Sequence, residues 1–277
     1  VEPRPVTRAR LVDDLRALGV RDGMVLLVHA SLSSIGWVPG GEQALHEALV
    51  AAVGERGTLV MPTQSWQLCD PAYLNEAHVP AAWWPEIRDT LPAFDPARTP
   101  TRTMGALAEL FRTHPGTLRS AHPHRSFAAA GPHTREVVAT HDLDSPVGER
   151  SPLRALVDLG GWVLLLGVGH KKSTTLHLAE HRCDYPGKHT VRNTAPILVD
   201  GTRTRVGWEE LWVADDDFDQ VGAEFAASSG LVRSAQVGHA DALLMPQRDL
   251  VEFAASWFPR HRDAAAFSQD STAWNAR

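Results

Sequence analysis

The segment 160–182, GGWVLLLGVGHKKSTTLHLAEHR, gathers the residue types that do chemistry into one short span. It ends in the string His177-x-x-Glu180-His181. Residues four apart share a helix face, so His177 and His181 could ligate zinc with Glu180 as general base, the inverted form of the zinc-peptidase motif. The same helix also suits metal-free acid–base work. A histidine in the first helical turn feels the positive end of the dipole, which disfavours imidazolium and keeps the ring a neutral base. Glu180, one turn along, is within reach to orient the ring or balance its charge. Such a base could remove a proton from an attacking amine or hydroxyl. Helix position alone leaves a third reading open, in which His177 is packed and Glu180 solvated.

Other candidate groups flank this span. Gly167 and Gly169 permit a ligand to approach the backbone, and Lys171, Ser173 and Thr174 set a charge and hydroxyls at a helix start, where an anionic or carbonyl group would be welcome. GVGHKKST is not a Walker loop, no G-x-G-x-x-G follows a strand, and the G-x-S-x-G of a serine-hydrolase elbow is absent. A second ligand loop, HASLSSIGWVPGG, starts at His29. Within PGTLRSAHPHRSFAAAG, the residues Arg119, Ser120, His122 and Ser126 could hold phosphate or pantetheine groups, or belong to a solvated turn. Asp215 to Asp217 either face a cation or cap the helix they precede.

The elements that must position these groups alternate. Thr7 caps a helix ending before Gly19, a short strand at 24–28 delivers His29, a helix covers 41–53 and a strand covers 58–61. Residues 63–100 are proline-interrupted and tryptophan-bearing, an irregular insert of the kind that is often functional, with Asp70 as its most useful charge near a cation. Helices are expected at 104–112, 132–140 and 152–159, and a strand buried on both faces at 162–166 leads into the His177 helix. In open α/β sheets ligands bind at the carboxyl ends of such strands. Alternation at 190–199 and 202–206 about Asp200-Gly201 predicts a hairpin, and hence a mixed sheet. A helix at 218–227, strands at 232–237 and 240–245, a last apolar-striped helix and a frayed polar tail at 260–277 complete one domain spanning 1–277.

Composition narrows the partners. With 277 residues and 43% apolar content a large core is available, and a net charge of −6 argues against nucleic acid or an anionic membrane. Two cysteines, Cys69 and Cys183, fit neither a metal knuckle nor a disulfide framework, and neither a signal peptide nor a membrane-spanning run is visible. A soluble, cytoplasmic protein is the expectation.

Five blocks, LLVHASLSSIGWVPGG, TLVMPT, RSAHPHRSFAAAGP, LLLGVGHKKSTTLHLAEHR and VGHADALLMPQRDLVEFA, together resemble the aminoglycoside 3-N-acetyltransferase family, in family order and over nearly the whole chain. The resemblance implies a three-layer α/β/α fold around a mixed sheet, acetyl-CoA as donor, a cationic aminoglycoside as acceptor, no metal, and a monomer or homodimer. His177 matches the family's catalytic histidine and Glu180 the acid that follows it. His29, Ser31, Ser33, Ile35 and Gly36 would lie along the pantetheine arm, helped by the block from Ser120 to Ser126 with Arg119, and by Lys171, Ser173 and Thr174. Asp215 and Asp216, with Glu209 and Asp70, resemble the acids that face the drug or the histidine. Ser173 is often asparagine in relatives, and His181 stands where an aromatic or aliphatic residue is common. The alternatives are a zinc hydrolase using residues 177–181 and a non-catalytic protein that binds CoA or aminoglycosides.

Overall fold

The computed structural model describes residues 4–74 and 78–263. Helix α1 (Arg8–Leu18) starts where the Thr7 hydroxyl accepts from the Arg10 N–H at 3.3 Å, and it ends at Gly19, whose left-handed φ of 112° closes the C-cap. Strand β1 (Val25–Ala30), helix α2 (Gly41–Val53) and strand β2 (Thr58–Pro62) follow. Next come α3 (Trp84–Thr90), α4 (Gly105–Thr113), β3 (Leu118–Arg119), β4 (Phe127–Ala130), α5 (Thr134–Val138) and α6 (Pro152–Asp158). Strand β5 (Trp162–Leu166) and helix α7 (Thr175–Arg182) carry the His177 segment. The chain continues through β6 (Thr190–Val199), β7 (Thr202–Leu211), α8 (Phe218–Ser229), β8 (Arg233–Val237), β9 (Ala240–Pro246) and α9 (Gln247–His261).

Seven strands form one sheet in the order β3-β4-β2-β1-β5-β9-β8. The central trio β2, β1 and β5 is parallel, while β4, β3, β9 and β8 run antiparallel to their neighbours. Helices cover both faces, so the inner strands are mostly apolar and their side chains alternate between two cores. Leu26, Val28, Leu164 and Leu166 point into the layer of α1, α2 and α4 with Leu11, Leu45 and Phe111. Val25, Leu27, Val163 and Leu165 point the other way, against Leu176, Phe218, Leu250 and Trp257. This is the three-layer sandwich around a mixed sheet.

The sheet is mixed for a reason other than the expected one. The predicted hairpin is real, but β6 and β7 stay out of the seven-stranded sheet and form a separate two-stranded one that runs to Leu211, beyond the predicted end. The mixing comes from β4 and β9 instead. The hairpin docks on the insert: Phe94 bridges Ile197 and its N–H donates to the Pro196 carbonyl at 2.9 Å, while Arg203 reaches the carbonyls of Arg88 and Leu91. The insert is therefore less irregular than its prolines imply, because Pro85 occupies the tolerated first turn of α3.

The first residues of the expected frayed tail are also anchored. Helix α9 runs through Arg260, and Arg262 is buried. The tail beyond Asp263 lies outside the described residues. Among the described residues no helix is long and apolar enough to cross a membrane.

Candidate active site

Strand β1 sends its crossover to β2 on one side and pairs with β5 on the other, so the sheet's direction of winding reverses between β1 and β5. The carboxyl ends of these strands splay their following loops apart there, opening a cleft. The loop after β1 (residues 31–36) and the loop after β5 (residues 167–174) form its lips. They meet at Gly167, where φ is +67° and an added Cβ would lie 2.6 Å from the Ser34 Cβ. Ser34 also donates to the Gly167 carbonyl at 3.3 Å. Beneath them lies a cavity of about 670 Å³.

His177 reaches this cavity from the first turn of α7, with its side chain 12% exposed. Its Nδ1 lies 2.6 Å from Glu180 Oε2. A carboxylate can only accept, so Nδ1 carries the hydrogen and the lone pair is left on Nε2. Glu180 is wholly buried; burial is the strongest influence on it and raises its pKa. Hydrogen bonding and attraction from His177, the positive charge of Arg262 and the Ala214 N–H outweigh that and hold it below the ordinary carboxylate value. The Ala214 N–H donates to Oε1 at 3.0 Å and Arg262 Nη1 donates to the same oxygen at 2.6 Å. Arg262 also grips Asp217 through Nε at 2.7 Å and Nη2 at 2.8 Å, with its guanidinium 3.7 Å from the centre of the Phe258 ring. The Phe218 ring packs on His177 at 4.9 Å between centroids. The result is a relay from Asp217 through Arg262 and Glu180 to His177.

His29 occupies the end of β1, not the loop, with Nε2 3.4 Å from the Thr174 hydroxyl. Burial, then the proximity of His177, push its pKa down to about 3, so it enters the cavity wall neutral. Ser31, Ser33, Lys171, Ser173 and Thr174 line the cavity with it. Ile35 and Gly36 do not. Ile35 is fully buried in the α1–α2 layer, and Gly36, at φ +98°, backs onto His239, where an added Cβ would come within 2.5 Å of the ring. The N–H groups of Ser34, Ile35 and Ser173 close tight turns onto Ser31, Leu32 and His170, so none is directed at the cavity as an oxyanion donor.

The residues expected to hold a phosphate or pantetheine group from the second block are turned inward. Arg119 is a structural tie: its guanidinium reaches the carbonyls of Thr63 and Thr99, with the Ser65 hydroxyl at 2.7 Å and the Ser126 hydroxyl at 2.9 Å. Burial, with repulsion from Arg112, lowers its pKa to about 10. Ser120 pairs with His141 Nδ1 at 2.8 Å and accepts from the Phe127 N–H, His122 Nδ1 accepts the N–H groups of His124 and Arg125, and Ser126 donates to the Thr63 carbonyl. These contacts fold the β3–β4 turn. The member of that block that does line the cavity is Arg125.

The acidic candidates divide. Asp215 lines the cavity and stands 3.9 Å from Lys171, which also pairs with the exposed Asp216 at 3.5 Å. Glu209 lies exposed on the hairpin, away from the cavity lining. Asp70 is buried and already neutralised: Arg88 binds it through two nitrogens, Arg205 and the Thr194 hydroxyl bind Oδ2 at 3.0 and 2.7 Å, and the Ala72 N–H binds Oδ1. Burial works against its charge, yet these donors prevail and lower its pKa to about 2. It joins insert to hairpin and has no charge to spare for a ligand.

The second histidine of the H-x-x-E-H string packs against Gly148, where an added Cβ would meet its Nδ1 at 2.5 Å. Burial, the largest influence, lowers its pKa to about 4. Among the described residues no group of three or more His, Cys, Asp or Glu is arranged to hold a metal ion.

A part-buried, carboxylate-backed histidine lining a cleft at a strand switch point is an arrangement that suits an enzyme of the α/β class. Comparison with known proteins specifies which. Residues 27–259 match the family model described as aminoglycoside 3-N-acetyltransferase, and the chain belongs to that family of acyltransferases. YokD of Bacillus subtilis (strain 168), described as an SPbeta prophage-derived aminoglycoside N(3')-acetyltransferase-like protein, is 42% identical over 255 residues, covering 92% of this chain and 93% of that protein. Aminoglycoside N(3)-acetyltransferase VII of Streptomyces paromomycinus is 39% identical over 267 residues, 91% of each chain. The YokD crystal structure matches with a TM-score of 0.90 at 41% identity, over 93% of this chain and 95% of that one. The binary complex of AAC-IIIb with CoASH matches at 0.83 and 34% identity, over 94% and 98%.

Proposed function

We propose that the chain transfers the acetyl group of acetyl-CoA directly to an amino group of an aminoglycoside, the 3-amino group of its 2-deoxystreptamine ring, with His177 as general base. The observation that carries this reading is the 2.6 Å contact between His177 Nδ1 and Glu180 Oε2, which leaves Nε2 free of that bond in a ring that lines the cavity. The amine nitrogen attacks the thioester carbonyl while Nε2 accepts its proton. Collapse of the tetrahedral intermediate breaks the C–S bond, and the proton passes from His177 to the departing sulfur, giving the amide and CoA thiol. Glu180, held as a carboxylate by Arg262, stabilises the imidazolium between these steps.

The family match supports both substrates, and the solved CoASH complex of AAC-IIIb supports the donor. Ser31, Ser33, Ser173 and Thr174 fit a pantetheine arm, whose amides need hydroxyl partners and close backbone approach. Asp215 supplies the carboxylate in the lining to which a cationic acceptor is drawn. Acetylation replaces an ammonium with a neutral amide, and in an exposed cell that would confer antibiotic resistance.

The test is a CoA-thiol release assay over an aminoglycoside panel, with mass spectrometry and NMR locating the acetyl group. Stoichiometric thiol release with acetyl on the 3-amino group is expected. Binding without thiol release would instead identify a non-catalytic binder, and raised drug tolerance in a susceptible host expressing the protein would establish the resistance role.

A further inference from the structure

Arg125 is a cavity-lining cation that the acetyl-transfer reading leaves without a task. It leads into β4 and lines the cavity on the side built by the insert, beside Gln64 and Trp66. Only 8% of it is exposed, and its guanidinium lies 4.8 Å from the centre of the Trp66 ring. Among the described residues it makes one side-chain hydrogen bond, a long one of 3.3 Å from Nη2 to the Tyr73 hydroxyl, and no ion pair. Against the opposing effect of burial, the nearby buried Glu210 carboxylate attracts Arg125 and raises its pKa, but it makes its own hydrogen bonds to Trp208 Nε1 at 2.5 Å and Asn193 at 3.3 Å. A guanidinium carries five N–H donors and does not lose its charge in proteins, so most of these donors remain available at the cavity wall.

This arrangement is adverse for a polycation. An ammonium brought against a desolvated guanidinium meets like charge with little solvent to screen it. Of the acids on that side, Asp70 is consumed by Arg88 and Arg205 and Glu210 is buried outside the cavity lining, whereas Asp215 belongs to the segment before α8, beside Lys171. The cavity is thus divided: an acidic group near the histidine helix, and a stacked, under-bonded cation against the insert.

We propose that Arg125 is a specificity-determining residue that reads the acceptor: it donates hydrogen bonds to a hydroxyl oxygen of the sugar placed against it and rejects an ammonium there. The inference rests on the acetyl-transfer reading above. It names the substrate class more narrowly, as aminoglycosides that present a hydroxyl rather than an amine to the insert side of the cavity.

The experiment compares kcat/KM for matched aminoglycosides that differ by one hydroxyl or amine, paromomycin against neomycin and kanamycin A against kanamycin B, in wild type, Arg125→Gln and Arg125→Lys. Wild type is expected to favour the hydroxyl member of at least one pair by about tenfold or more, as expected when like charge meets in a desolvated site. Arg125→Gln should bring that ratio within about twofold by raising the rate on the amine member, and Arg125→Lys should keep the preference, since the charge remains. The KM for acetyl-CoA should not move. Equal wild-type rates within both pairs would overturn the inference without any variant. So would a ratio that survives Arg125→Gln, or a variant whose effect falls on the acetyl-CoA KM. If no aminoglycoside is acetylated at all, the underlying reading fails and takes this inference with it.

Discussion

Arg262 Nη1 donates to Glu180 Oε1 at 2.6 Å, with both side chains buried and the two residues 82 positions apart in the chain. The contact links the end of α9 to α7 and gives Glu180 a full positive charge at the oxygen that does not meet His177. A buried carboxylate without such a partner would take up a proton and could no longer stabilise an imidazolium.

Removing one member of this pair should therefore cost more than removing both. Arg262→Met leaves the buried Glu180 and the part-buried Asp217 carboxylates without their cation, and should destabilise the fold by about 3–5 kcal/mol. Adding Glu180→Gln to that background should return part of the loss. Urea unfolding of the two single variants and the double variant completes a double-mutant cycle, and additive effects would show that the two side chains are not coupled.

Acid should destabilise the protein well before its carboxylates titrate. Burial lowers the pKa of His29 and His124 to about 3 and of His141 and His181 to about 4, and holds His122 well below its ordinary value. In the unfolded chain these rings titrate near 6.5. As pH falls below about 6.5 the unfolded state binds protons that the folded state refuses, so stability decreases, by up to about 1.4 kcal/mol per pH unit for each ring. The loss continues until the folded pKa values are reached near 3–4. Glu180 and Asp70, whose folded pKa values are lowered, add their own loss only below about 4.5, where the unfolded carboxylates begin to protonate. Calorimetric unfolding in buffers of different ionisation enthalpy at pH 5.5 should show net uptake of several protons; uptake near zero would mean that the histidines are not neutral in the fold.

The acidic residues should separate by role in steady-state kinetics. Asp215→Asn removes a carboxylate from the cavity lining and is expected to raise the aminoglycoside KM by about tenfold, the equivalent of roughly 1.4 kcal/mol of lost attraction. Glu209→Gln, on the exposed hairpin, should change it by less than about twofold. Asp70→Asn should act on stability, seen as faster proteolysis within the insert, because it releases Arg88 and Arg205 together.

How much of this was legible in the sequence depends on whether the cause was local. The inner strands announce themselves because a strand covered on both faces must be mostly apolar, and α1 and α2 begin and end where caps and glycines say, since those signals act within one turn. His177 and Glu180 are one helical turn apart, so their contact follows from spacing. The loop after β1 is only half right, because Ser31 and Ser33 face the cleft while Ile35 faces the core, a difference set by one tight turn. The β3–β4 block is hard to read for a similar reason: Arg119, Ser120 and Ser126 find partners in one another, in His141 and in the carbonyls of the insert while Arg125 lines the cavity, and sequence does not tell a polar group with an internal partner from one awaiting a ligand. Asp70 reads as a free charge until Arg205, on the hairpin, is brought to it. Arg262 carries no local signal at all. It sits in a polar stretch just past a helix, and its importance arises only from packing α9 beside α7.

The central claim is that His177 Nε2 takes the proton from the attacking amine. Its most direct test is the rate of CoA-thiol release by His177→Ala with saturating aminoglycoside, measured beside acetyl-CoA binding by the same variant. Loss of a general base is expected to lower kcat by ~10²–10⁴-fold while acetyl-CoA affinity stays within about threefold of wild type. Turnover close to wild type in the folded variant would contradict the account.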